Sequence, residues 1–137
     1  MNAQLRPAVT IEAFEGATID EAAFDHEAHV YTALLYLQRW PLNAATHRFC
    51  EAIRRLTVKL GAEMKYHETI TCFFMQIINE RRLAAPEASW LQFRQSNDDL
   101  IRGAGEILGR YYSNELLASE VARQHYLLPD KLVCSND

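Results

Sequence analysis

Gly16, Pro41, Gly61 and Pro86 punctuate this 137-residue chain at intervals of about 20–25 residues, and the segments between them carry apolar residues at helical spacing. Proline ends a helix because it lacks the N–H and clashes with the preceding turn, and glycine because it accepts the left-handed backbone of a helix end. No segment alternates apolar and polar residues for long enough to make a half-buried strand. Ala and Leu supply 34 residues against 20 for Val, Ile and Thr, which favours helix over sheet. The length is that of a single domain. Together these features predict an all-α, single-domain bundle of five or six amphipathic helices over residues 1–137, with 1–17 and 130–137 loosely tied.

The helices have readable ends. Thr18 with Glu21 forms a capping-box pair for a first long helix reaching Trp40, although Asp25 could cap a fresh helix after a break near Phe24. Asn43 is a cap for the second, whose stripe is Thr46, Phe49, Ile53, Leu56 and Leu60. The third is expected from Lys65 to Leu83 with Ile70, Phe74, Ile77 and Ile78 inward. A short helix at Ser89–Gln95 carries Trp90 and Phe93 as core. Asn97 caps another through Tyr111, and Ser113 caps a last one through Tyr126.

Charge and cysteine content narrow the function. The net charge is −4, and the only basic dipeptides, Arg54-Arg55 and Arg81-Arg82, lie near helix ends. No dense basic face argues for nucleic acid. The longest apolar run, Ile70 to Ile78, is interrupted by Thr71 and Gln76 and is far short of a membrane span. Cys50, Cys72 and Cys134 show no CxxC spacing, so Cys50 and Cys72 read as small core residues in a reducing, cytoplasmic setting.

Histidines supply the candidate chemistry. On a helix, Ala22, His26, His29, Val30, Ala33, Leu37 and Trp40 share one face, so His26 and His29 point inward one turn apart. His67 shares the face of Ile70, Thr71, Phe74, Ile77 and Ile78. Two imidazoles at i,i+3 can reach one ion, and a third from another helix completes a nitrogen-rich set. His26, His29 and His67 are therefore the expected ligands of one transition metal ion: iron, copper, zinc or nickel, which this donor set does not distinguish. Glu63 or Glu68 could orient a ligand or move a proton, and Tyr66 lies beside them. Neither Glu-x-x-His nor HExxH occurs, which argues against di-iron bundles and zincin proteases. His47 falls off its helix's apolar stripe, and His125 lies near a helix C-terminus, where a cation is favoured in any case. The leading expectation is a small metalloenzyme acting on a small organic molecule. Its alternatives are a metal-free acid–base enzyme or ligand-binding bundle, pairing His67 with Glu68 or Glu63, and a non-catalytic helical interaction module; a homodimer is compatible with all of them.

The strings Phe24-x-His26-x-x-His29 and Lys65-Tyr66-His67-Glu68-Thr69-Ile70-Thr71 resemble an uncharacterised family of small bacterial all-helical proteins. The resemblance continues through Trp90-x-x-Phe93, Tyr111-Tyr112-Ser113, Ala122-Arg123 and Pro129-Asp130, covering about residues 22–130. It carries no activity with it. What it implies is that the two histidine segments belong to one site.

Overall fold

The computed structural model describes residues 9–19 and 24–131. Among these residues every regular element is helical: α1 Ile11–Glu15, α2 His26–Arg39, α3 Leu42–Lys59, α4 Glu68–Ala84, α5 Trp90–Ser96, α6 Asp98–Arg102, α7 Ala104–Tyr111, α8 Asn114–Leu117 and α9 Glu120–Gln124. A 3-10 turn at Glu63–Lys65 links α3 to α4. The expected all-α domain is what forms. No described helix is long and apolar enough to cross a membrane.

Five helices have seven or more residues, and the short ones arise where the sequence predicts longer ones. The helix expected from Asn97 to Tyr111 breaks at Gly103, and the one expected from Ser113 to Tyr126 breaks where Ser119 caps a new turn by accepting from Ala122 N–H. Serine competes for backbone donors in this way and favours caps over helix interiors. Asp25 opens α2 by accepting from Ala28 N–H at 2.9 Å, so the break near Phe24 is the alternative that is realised; residues 20–23, which hold the Glu21 partner of the expected capping box, lie outside the described residues. Pro41 rather than Asn43 precedes α3, and Gly61 ends that segment at φ +68°, a left-handed backbone that glycine adopts without a Cβ clash.

The core lies among α2, α3 and α4, which pack on one another, with α1 against α3 and α9 against α4. Its centre is aromatic. Phe14 stacks on Phe49 at 5.2 Å between centroids, while Tyr36 meets both edge-on. Phe14 is fully buried, so the chain from Val9 to Ile19 belongs to the core and the expectation of loose packing over 1–17 does not hold there. Tethering of this segment comes from Tyr36 Oη donating to Glu15 and Lys59 Nζ donating to the Ala17 carbonyl. A second aromatic group, Phe73 with Tyr111 and Tyr112, joins α4 to the C-terminal helices.

The C-terminal segment is also held by hydrogen bonds from the start of α4. Thr69 is fully buried, and its Oγ1 lies 2.7 Å from the carbonyls of both Ala122 and His125 while accepting from Leu127 N–H at 3.1 Å. His67 Nε2 lies 2.8 Å from the Leu117 carbonyl. Thr69→Val keeps the shape of the side chain but strands these buried polar groups, which costs about 1–3 kcal/mol. Urea unfolding should show that loss, with faster amide exchange in α9; an unchanged midpoint would show that the clamp contributes nothing.

Candidate functional site

A cavity of about 510 Å³ opens between the start of α2, the second half of α3 and the first half of α4, with Leu100 of α6 on its wall. That volume lies within the range of small-molecule sites. Most of the wall is apolar, including Val30, Ile53, Leu56, Phe74 and Ile78. The polar lining groups are His26, His29, His67, Lys65, Tyr66, Thr57 and Thr71, and no carboxylate is among them. The structure thus brings all three predicted histidines to one cavity, but it gives each a different task.

His67 is the N-cap of α4 rather than an inward residue within it, because the helix starts at Glu68 and not at Lys65. Its Nδ1 accepts from Ile70 N–H at 3.2 Å, so that nitrogen carries no hydrogen. Its Nε2 faces the Leu117 carbonyl, which can only accept, so Nε2 donates. Both nitrogens are committed. His26 sits at the first position of α2 and is exposed, with Nε2 at 3.0 Å from the Leu100 carbonyl.

His29 differs from both. Its ring packs on Phe24 at 4.1 Å between centroids and stands 6.2 Å from the ring of His26. It makes no side-chain hydrogen bond among the described residues. Burial, reinforced by neighbouring His26 and opposed by Asp25, pushes its pKa down to about 4. At neutral pH it is an uncharged imidazole on the cavity wall, with one donor and one acceptor nitrogen.

The predicted acid–base partners lie elsewhere. Glu63 is exposed in the 3-10 turn and does not line the cavity. Glu68 turns to the opposite side of the α3–α4 seam, where it accepts from the Tyr66 hydroxyl and pairs with Arg54 at 3.4 Å. Tyr66 contributes to the cavity wall while its hydroxyl is spent on Glu68. The expected pair of His67 with Glu63 or Glu68 is therefore not formed, because Nδ1 caps α4 and Nε2 is held by the Leu117 carbonyl.

Nor do the three imidazoles converge as a ligand set. Among the described residues, the three potential metal ligands whose donor atoms all lie within 4.8 Å of one another are Cys50, Glu68 and Cys72. The sequence predicts Cys50 and Cys72 only as small core residues. They are buried, but their sulfurs stand 3.8 Å apart across the α3–α4 seam. The available signal was Glu68-x-x-x-Cys72, one helical turn apart, which places both side chains on one face. Cys134 lies outside the described residues.

Comparison of the chain with protein-family models, curated proteins and solved structures finds no match, so function is argued from the chemistry of the site.

The depressed pKa of His29 has a consequence for stability. Between pH 6.5 and about 4 the unfolded chain takes up a proton at this position that the folded chain refuses. Its contribution is intact above pH 6.5 and falls away as the pH drops towards 4, by on the order of 3 kcal/mol in full. Carboxylates titrate in the lower part of this window, so the measurement is the difference between the native protein and His29→Gln. The native protein should lose stability more steeply on acidification, and parallel pH curves would refute the burial of this ring.

Proposed function

We propose that this bundle binds a small, largely apolar organic acid in the cavity between α2, α3 and α4. The observation that carries the reading is the composition of the wall: apolar side chains throughout, polar groups that include a cation and several donors, and no acidic residue. An apolar body gains from burial there, at roughly 25 cal/mol per Å² of apolar surface removed from water. A carboxylate end finds the Lys65 ammonium and an imidazole N–H, and it meets no like charge. His29, whose nitrogens have no protein partner among the described residues, is the group that would fix its orientation. A base with a pKa near 4 abstracts protons poorly at neutral pH, so this reading assigns recognition to His29 rather than general-base catalysis.

A second reading is a transition metal ion shared by His26, His29 and His67, supported by the presence of all three rings on one cavity. It requires the three rings, which do not converge as they stand, to close on one ion, and His67 to surrender its bonds to Ile70 and Leu117.

Isothermal titration with benzoate and hexanoate separates the readings. The expected result is one site per chain, weakened about tenfold in Lys65→Gln and in His29→Phe, a change of about 1.4 kcal/mol. Ile53→Trp, which fills the cavity, should abolish binding. Absence of binding by either acid at millimolar concentration would end the organic-acid reading. Uptake of an ion that is lost in His26→Ala, His29→Ala and His67→Ala alike would establish the second.

A further inference from the structure

A second cavity, of about 450 Å³, lies on the other side of the α3–α4 seam, and Cys50, Glu68 and Cys72 stand together on its wall. Cys72 Sγ is 3.8 Å from Cys50 Sγ and 3.6 Å from Glu68 Oε2. A tetrahedral ion about 2.3 Å from each of two thiolates holds the sulfurs about 3.8 Å apart. With a carboxylate oxygen at about 2.1 Å, the same geometry sets sulfur and oxygen about 3.6 Å apart. The observed spacings are those two edges of a coordination tetrahedron. In the metal-free chain the same two edges are hydrogen bonds, Cys72 donating to Glu68 Oε2 and one thiol donating to the other, and all three donor atoms lie within 4.8 Å of one another.

Glu68 is also oriented for such a role. Its Oε1 is taken by the Tyr66 hydroxyl and the Arg54 guanidinium, which leaves Oε2 turned to the sulfurs. Supporting hydrogen bonds of this kind fix the direction of a ligating carboxylate. Charge balances as well: two thiolates and a carboxylate against a divalent ion leave one negative charge, and Arg54 at 3.4 Å offsets it. We infer that Cys50, Glu68 and Cys72 form a binding site for one divalent thiophilic metal ion of the zinc class, with its fourth position open to the second cavity. An open position is the mark of a zinc site that admits water or a ligand, whereas purely structural sites are closed by four protein groups. Binding at neutral pH releases the protons of the two thiols to solvent and changes no oxidation state.

The experiment is a Co²⁺ titration of the metal-stripped, reduced, untagged protein carrying Cys134→Ser, which keeps the third thiol out of the measurement. The expected result is one Co²⁺ per chain, a thiolate-to-cobalt absorption band in the near ultraviolet, and displacement by Zn²⁺. Glu68→Gln should weaken uptake by about tenfold or more, and Cys50→Ser or Cys72→Ser should remove the band, with far-UV circular dichroism confirming that each variant is folded. The assignment is overturned if the reduced protein shows no band at about 100-fold excess of cobalt. It is likewise overturned if uptake survives in Cys50→Ser and is lost in His29→Gln.

Discussion

The clamp between the start of α4 and the C-terminal segment is the interaction on which the last two helices of this structure depend. Helices α8 and α9 have four and five residues and could not persist alone, since isolated helices much shorter than about 12 residues are marginal in water. They are held because the Thr69 hydroxyl, between the Ala122 and His125 carbonyls, donates to one of them and accepts from Leu127 N–H, while His67 donates to the Leu117 carbonyl. Tyr112 adds a hydrogen bond to the Leu127 carbonyl, and Ser113 binds Asp130, lowering the pKa of that carboxyl. A segment that lacks the length to stabilise itself is thereby carried by two side chains of a neighbouring helix.

This arrangement explains how much of the molecule was legible in the sequence. The long helices were, because their apolar residues repeat at helical spacing and Gly61, Ser89 and Asp25 act locally. The N-terminal segment was not, since Phe14 owes its burial to Phe49 and Tyr36, which are distant in sequence. The three histidines line one cavity, but His26, expected inward, is exposed, and His67, expected within the helix, caps it. Periodicity cannot distinguish a residue inside a helix from one that caps it, and histidine is not among the residues usually read as caps. The cysteine pair was invisible for a related reason: Cys50 and Cys72 are 22 positions apart, and only the packing of α3 on α4 fixes which face each presents.

The five-residue string from Lys65 to Thr69 is consequently divided among several tasks. Lys65 borders one cavity, His67 and Thr69 secure the C-terminal helices, and Glu68 faces the other cavity. Consecutive residues at the point where a chain enters a helix project in widely different directions, which is what lets so short a stretch serve three neighbourhoods.

Tyr66 stands between them, its ring on one chamber and its hydroxyl on the carboxylate of the other. A guest that displaced the ring would disturb the hydrogen bond from its hydroxyl to Glu68. Thermodynamic reciprocity then requires that whatever rearranged Glu68 be felt with equal strength on the far side. Two pockets that flank the α3–α4 seam thus have one tyrosine in common.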